Sequence, residues 1–214
     1  MQLGNRFFRS EILIFAIAMD TYRTIEAPSE AKVVIKKSTF LGFSHPIDSE
    51  AEAESLIRDY RKRFYDARHV CYAYKVGSEE TEVAKSSDNG EPSGTAGRPM
   101  MSAINNAGLT NVLIVAVRYF GGILLGTPGL IAAYREAASE AIAAASVITR
   151  TREQQATLIF DYAAMNSVMK LLKQHAARVI SQQTDLRCTL IVSAPLSVMA
   201  TLLPQLQKAG ATIQ

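Results

Sequence analysis

Residues 110–133 read TNVLIVAVRYFGGILLGTPGLIAA, and in them a hydrophobic strand, a glycine cluster and a helix follow one another without interruption. Residues 112–117 are an unbroken run of β-branched and aliphatic side chains, which predicts a strand buried on both faces. Thr127 and Pro128 predict a helix start, with Thr127 as the N-cap and Pro128 at the first helical position.

Four glycines, Gly121, Gly122, Gly126 and Gly129, lie in and just after the segment that joins this strand to this helix. A glycine-rich loop that leads into a helix collects backbone N–H groups and the positive end of the helix dipole, which suits an anion. Arg118 would stand at the edge of that site. The known phosphate loops, GxGxxG and Gly-Lys-Ser/Thr, are absent, and close packing of the strand on the helix explains the glycines equally well. Both explanations stay open.

A second loop, residues 86–99, is rich in Ser, Asp, Asn, Gly and Pro and is too long for a simple turn. It contains Asp88, Asn89, Gly90 and Glu91. Asp88 and Glu91 are of the type that ligates metals or acts as acid and base, but two carboxylates without histidines are weak evidence for either. We therefore predict no metal, no cofactor and no catalytic residue here. Arg98 and Pro99 predict the start of a short helix.

Two of these stretches, RYFGGILLG at residues 118–126 and SDNGEPSGTAGRP at residues 87–99, together resemble the paired signature of the YigZ/IMPACT family. DARHVCYAY at residues 66–74 is similar to a third family stretch. Asn89 stands where the family usually has a second Asp, and Pro128 where it usually has Gly. The resemblance implies a fold like ribosomal protein S5 domain 2 for residues 20–150 and one like elongation factor G domain V for residues 151–214. Eukaryotic relatives regulate translation under stress, so it also implies a role connected with translation.

The 214 residues are 48% hydrophobic and 20% charged, which is ordinary for a soluble globular protein. Residues 151–214 carry six Lys/Arg against three Asp/Glu, whereas the first 150 residues are balanced. This is a mild indication of a polyanionic partner.

Cys71 and Cys188 form neither a disulfide framework nor a zinc spacing, which favours the cytoplasm. Residues 1–19 are interpreted as an extension or an over-called start, whose apolar part is too short to span a membrane, and no membrane partner is expected.

The remaining pattern predicts an α+β protein of two domains. Residues 32–47 indicate one long or two bent strands, and Ser49 with Glu52 predicts a capped helix. A strand over residues 69–76 places His69 and Cys71 on one face, but roughly 6.5 to 7 Å apart, too far for a nucleophile and its base. Residues 151–214 follow the ferredoxin-like order βαββαβ, with Pro204 expected to kink or break the last helix.

The leading hypothesis is a non-enzymatic cytoplasmic protein that binds RNA or a ribosome-associated partner and regulates translation. Arg98, Arg118 and Tyr119 are expected to contact phosphate or stack on a base. The complete set of candidate anion- or nucleic-acid-binding residues is Asp88, Asn89, Gly90, Glu91, Arg98, Arg118, Tyr119, Gly121, Gly122 and Gly126. The alternative is an enzyme for a small phosphorylated substrate that uses Asp88 and Glu91, and a third hypothesis is a protein-interaction module. The sequence predicts no oligomeric state.

Overall fold

The computed structural model describes residues 20–78 and 81–214. They divide into two compact units, which are Arg23–Thr149 and residues 20–22 with Arg150–Gln214. Each unit has its own hydrophobic core. The predicted extension, residues 1–19, lies outside the described residues.

The first unit contains both strands and helices. In chain order they are β1 (Thr21–Ile25), β2 (Ser29–Ile35), β3 (Ser38–Pro46), α1 (Glu50–Arg63), β4 (His69–Val76), β5 (Val83–Ser87), α2 (Gly97–Asn106), β6 (Val112–Tyr119), α3 (Gly126–Ala143) and β7 (Val147–Thr151). Five strands form one antiparallel sheet in the order β2-β3-β6-β4-β5. Strands β1 and β7 pair separately, and the boundary between the units falls within both of them.

Strand β6 lies in the middle of the five-stranded sheet, and its side chains alternate between two cores. Ile114 and Ala116 pack with helices α2 and α3 on one face. Val115 and Val117 pack with helix α1 on the other. Residues 112–118 are all buried, so the prediction of a strand covered on both faces is confirmed.

The starts of two helices test the capping predictions. Helix α1 is capped by Ser49, whose Oγ accepts a 3.2 Å hydrogen bond from the N–H of Glu52, as predicted. Helix α3 begins instead at Gly126, behind an N-cap Leu125 that makes no side-chain hydrogen bond. The assignment of Thr127 as N-cap is therefore wrong. Gly126 has a φ of +68°, so a glycine turn rather than a side-chain cap leads the chain into this helix.

The second unit contains β8 (Glu153–Phe160), a 3₁₀ turn (Tyr162–Ala164), α4 (Met165–Gln174), β9 (Arg178–Thr184), β10 (Cys188–Pro195), α5 (Leu196–Lys208) and β11 (Thr212–Ile213). This is the predicted succession of strands and helices. The strands form an antiparallel sheet in the order β11-β8-β10-β9, and helices α4 and α5 bury their apolar faces against it. Helix α5 continues through Pro204, so the expected break does not occur. Buried Met199, Leu202 and Leu206 hold the helix to the core on both sides of the proline.

No helix among residues 20–78 and 81–214 is both long enough and apolar enough to span a membrane.

Candidate functional site

The two glycine-containing loops meet at one end of the five-stranded sheet. At this end strand β6 finishes, and its last residues pair with the first residues of the neighbouring strands: Tyr119 with Thr39 of β3, and Arg118 with His69 of β4. The loop after β5 returns to the same place, because the carbonyl oxygen of Asn89 accepts a 3.0 Å hydrogen bond from Nδ1 of His69. Residues 88–96 and 120–125 therefore belong to one region.

A buried polar cluster joins the loops. We call it the Glu91 cluster, and it consists of His69, Glu91, Arg118 and Tyr134. Oε1 of Glu91 accepts hydrogen bonds from Nη1 of Arg118 at 2.6 Å and from the hydroxyl of Tyr134 at 2.9 Å. Nε2 of His69 lies 3.9 Å from the same oxygen. The side chain of Glu91 is 3% exposed and that of Arg118 is 8% exposed, so this ion pair is screened little by water.

Tyr134 keeps its proton in this environment. Burial raises the pKa of its hydroxyl far above the ordinary value, and the neighbouring Cys71 thiol and Glu91 carboxylate raise it further. The hydroxyl therefore serves as a permanent hydrogen-bond donor to Glu91.

Arg118 does not occupy the position expected of a phosphate ligand. Side chains alternate along a strand, so Arg118 points to the same face as Ile114 and Ala116, toward helix α3. Its guanidinium is buried and paired with Glu91, and its Nε has no hydrogen-bond partner among the described residues. The expectation that Arg118 and Glu91 contact a ligand directly is not supported by this geometry.

Asp88 caps a helix. Its carboxylate accepts 2.8 Å hydrogen bonds from the backbone N–H groups of Gly94, Ala96 and Gly97, at the start of helix α2. Burial alone would raise the pKa of this carboxyl, but the three backbone donors and the nearby Arg98 outweigh burial and lower it. An ionised carboxylate at a helix N-terminus stabilises the helix through its dipole, so Asp88 has a structural role. Asp88 and Glu91 thus both make hydrogen bonds within the protein, and their use as acid and base stays a prediction of the enzyme hypothesis.

Cys71 is also unsuited to catalysis. Its Sγ donates a 2.9 Å hydrogen bond to the carbonyl oxygen of Asp88. Burial raises the pKa of the thiol to about 12, and the contribution of Tyr134 that lowers it is smaller. A neutral thiol is a poor nucleophile at physiological pH. The part of the chain that the structure describes also holds no group of three or more His, Cys, Asp or Glu side chains that could bind a metal.

Tyr119 and Phe120 point in different directions. Tyr119 packs on the helix α1 face of the sheet and donates a 3.0 Å hydrogen bond from its hydroxyl to Asp66. Tyr119 is partly buried, and its stacking on a base stays a prediction. Phe120, which was assigned no role, is 56% exposed.

The glycines of the second loop have two roles: one allows close packing of the backbone, and the others adopt a positive φ. A Cβ on Gly121 would lie 2.0 Å from the carbonyl group of Lys37, so only glycine fits there, and its N–H donates to Oγ of Ser38 at 3.1 Å. Gly122 and Gly126 have φ values of +84° and +68°. Gly90 on the first loop likewise has a φ of +87°. The Gly121 amide is thus used internally, and close packing explains this position better than a phosphate cradle does.

Four exposed cations lie at this end of the sheet, and we call them the basic rim: Lys36, Lys37, Arg68 and Arg98. None of them has a carboxylate oxygen within 4.0 Å among the described residues. Lys36 and Lys37, with φ values of 45° and 68°, form the turn between β2 and β3, and Arg68 immediately precedes β4. Sequence reasoning identified Arg98 and missed the other three. It missed Lys36 and Lys37 because the segment 32–47 was not divided at these two residues.

Residues 36–142 match the family described as the Impact N-terminal domain. The IMPACT family member YvyE of Bacillus subtilis is 35% identical over 156 residues, which are 73% of this chain and 71% of YvyE. The chain belongs to the IMPACT family. YigZ of Escherichia coli, another IMPACT family member, is 32% identical over 183 residues, which are 85% of this chain and 90% of YigZ. A crystal structure of a hypothetical protein is 30% identical, with a TM-score of 0.69, and the match covers 91% of this chain and 97% of that one.

The IMPACT match extends over both the Glu91 cluster and the basic rim, since Lys36 is its first residue. Chemically, these two parts of the region differ. The Glu91 cluster is a buried ion pair in which the carboxylate accepts hydrogen bonds from Arg118 and Tyr134. The basic rim is an open set of cations, and an anion can reach it without breaking any described ion pair.

Proposed function

We propose that this IMPACT-family protein binds RNA through the basic rim of its first unit and thereby acts in the regulation of translation. The observation that carries the proposal is the set of four exposed cations at one end of the sheet, Lys36, Lys37, Arg68 and Arg98, none of which has a carboxylate oxygen within 4.0 Å among the described residues. The position of the rim replaces the one assigned to Arg118 and the glycine loop.

Unpaired cations favour a polyanion for a simple reason. A lysine that already contacts a carboxylate must lose that contact before it contacts a phosphate, whereas the rim residues have none to lose. The acidic groups nearby are already in use: Glu91 is buried against Arg118, Asp88 accepts three backbone hydrogen bonds, and Asp66 accepts one from Tyr119. The rim cations and Arg118 together outnumber these three carboxylates by five to three, and an excess of positive charge favours a nucleic acid as the ligand.

The connection with translation rests on family membership together with two fold assignments, which we also propose. The first unit has the fold of ribosomal protein S5 domain 2. The second has a ferredoxin-like fold similar to elongation factor G domain V, which its strand order β11-β8-β10-β9 supports. Folds of this kind host many functions, so RNA binding must be tested directly. Because Cys71 and Cys188 are both free thiols, we place the protein in the cytoplasm.

The test is a titration of the full chain into fluorescently labelled single-stranded RNA, followed by fluorescence anisotropy at several salt concentrations. Each phosphate contact contributes about 0.7 to the slope of log affinity against log salt for single strands, so four contacts give a slope of roughly −3. Lys36→Ala combined with Lys37→Ala is expected to weaken binding and to reduce the slope by about 1.4, the share of two contacts.

A matched control removes the same charge elsewhere. Lys32 is exposed in the middle of β2 and Arg58 is exposed in the middle of α1, and neither has a carboxylate oxygen within 4.0 Å among the described residues. Lys32→Ala combined with Arg58→Ala is expected to leave the slope nearly unchanged. Equal effects of the two double variants would show that net charge alone attracts RNA, and the assignment to the rim would be abandoned.

Association with ribosomes is tested in cell lysates. We expect the protein to co-sediment with ribosomes at low salt and to be released by ribonuclease. Co-sedimentation with a partner that resists ribonuclease would instead identify a ribosome-associated protein as the ligand. If neither RNA nor ribosomes bind at low salt, the proposal fails.

A further inference from the structure

The ring of Phe120 packs against a buried cation. The guanidinium carbon of Arg118 lies over the Phe120 ring, 5.6 Å from its centroid, and at the same distance from the centroid of Phe40. Both distances fall within the range of cation–π attraction. Since the guanidinium is itself fixed by Glu91, the Phe120 ring rests on a support that has little freedom to move.

This ring is largely open to solvent. Phe120 is 56% exposed, although burial of a phenylalanine side chain is favourable. Exposed single apolar residues are common and need no explanation by themselves. Here, however, the exposed ring contacts Arg118 of the Glu91 cluster, and a turn that carries positive charge lies next to it in a fixed position.

That neighbour is the turn that contains Lys36 and Lys37. The backbone of Gly121, the residue after Phe120, approaches the carbonyl group of Lys37 so closely that a Cβ on Gly121 would lie 2.0 Å from it. Gly121 is also held to this turn by a hydrogen bond from its N–H to Oγ of Ser38, the residue after Lys37. Two exposed ammonium groups are thus attached to backbone that packs directly against the residue following Phe120.

We propose that Phe120 and the Lys36–Lys37 turn form a site for an unpaired nucleotide, with the base stacked on the Phe120 ring and a flanking phosphate on the lysines. The proposal rests on the proposed function and adds the form of nucleic acid that is bound. A flat π-surface next to positive charge matches a nucleotide, which presents a flat base next to negative charge. In a duplex the faces of the bases are covered by their neighbours, so only a single strand or a loop offers a base to the ring.

A purely apolar ligand fits the site less well. Two lysines without carboxylate partners beside the ring would gain nothing from an apolar peptide, and their ammonium groups would be partly desolvated by it. The charge next to Phe120 therefore favours a ligand that carries negative charge.

The first experiment compares three labelled probes by fluorescence anisotropy with the full chain: a uridine decamer, the corresponding deoxythymidine decamer and a double-stranded RNA of the same length. Both single strands are expected to bind more tightly than the duplex. Equal binding of RNA and DNA decamers would assign recognition to the stacked base and phosphate, and a preference for RNA would add a contact to the 2′-hydroxyl. Equal or tighter binding of the duplex would overturn the inference and leave the basic rim as a site of general polyanion binding.

The second experiment changes the ring. Phe120→Leu is expected to weaken binding of the uridine decamer about 5- to 150-fold, which corresponds to the 1–3 kcal/mol of one base–aromatic stack. The dependence on salt is expected to stay the same, because stacking releases no counterions. Leu124→Ala, which changes another exposed residue of the same loop, is the control and is expected to alter the affinity by less than 2-fold.

A spectroscopic readout separates stacking from a general effect on the loop. The chain contains no tryptophan, so Phe120→Trp introduces a single fluorophore at the site. This variant is expected to bind the uridine decamer at least as tightly as the wild type. The fluorescence of the introduced tryptophan is expected to be quenched when the protein is saturated with the decamer. Binding with unchanged tryptophan fluorescence would overturn the inference while leaving the proposed function intact. A failure of every probe to bind the wild type would defeat the proposed function itself.

Discussion

Replacement of Glu91 by alanine is expected to destabilise the first unit strongly, and the size of the effect follows from the burial of its partner. The Arg118 side chain is only 8% exposed, and its Nε already lacks a partner. Without the carboxylate, the guanidinium would also lose the partner of Nη1, and the Tyr134 hydroxyl would lose its acceptor. Removing one partner of a buried ion pair typically costs about 3–5 kcal/mol, because the remaining charge stays buried and uncompensated.

This cost is a large part of the total stability of a domain, which is usually about 5–15 kcal/mol. With a urea dependence near 2 kcal/mol per molar, it corresponds to a fall in the unfolding midpoint of roughly 2 M. Because the chain has two units, the measurement must report on each separately. Cys71 is buried in the first unit and Cys188 in the second, so pulsed thiol labelling with mass spectrometry follows the two transitions independently.

A double-mutant cycle tests whether the cost arises from the ion pair. Glu91→Leu and Arg118→Met each leave one buried polar partner, whereas the double variant leaves none of the pair, so it is expected to be far more stable than the sum of the single effects predicts. Lys62→Ala, which removes an exposed pair with Asp59, is the control and is expected to change stability by less than about 1 kcal/mol. Additive effects in the cycle, or a midpoint change below about 0.5 M for Glu91→Ala, would refute the reasoning.

Two further predictions concern the pKa values of Asp88 and Cys71. The pKa of Asp88 is lowered in the folded protein, so its contribution to stability is complete above the ordinary aspartate value of 3.8 and is lost as pH falls through the lower folded value. Asp88→Ala is therefore expected to cost about 0.5–2 kcal/mol in urea denaturation at pH 7 and progressively less as the pH falls below 3.8, and a difference that stays constant in acid would contradict the role of the ionised carboxylate in capping. Burial raises the pKa of Cys71 to about 12, so its thiol is expected to resist maleimide at pH 7.5 until the first unit unfolds. Labelling in native buffer at the rate of a free thiol would show that the site is open.

The sequence predicted the central strand better than it predicted the roles of the residues in the two loops, and it did not predict whether the loops meet. Strand β6 is apparent because an apolar run of its length fits a doubly covered strand. The position of Arg118 on the inner face follows from alternation with Ile114 and Ala116, but alternation does not tell which face helix α3 covers or that Glu91 lies there. That information is in the tertiary packing. The Lys36–Lys37 turn carried no signal, because two-residue hairpin turns are recognised by Asn-Gly or Asp-Gly and rarely by two lysines.

Three consecutive residues, Arg118, Tyr119 and Phe120, thus take three different environments: the buried ion pair, the opposite face of the sheet, and solvent. This separation changes what a mutation can show. Arg118→Ala removes a buried cation and leaves the Glu91 carboxylate without its partner, so a loss of RNA binding in that variant would follow from damage to the first unit as readily as from a lost phosphate contact. The exposed Lys37 side chain makes no described ion pair, so Lys37→Ala leaves the Glu91 cluster intact. A binding defect in Lys37→Ala with an unchanged unfolding midpoint therefore reports on the ligand, and the same defect in Arg118→Ala does not.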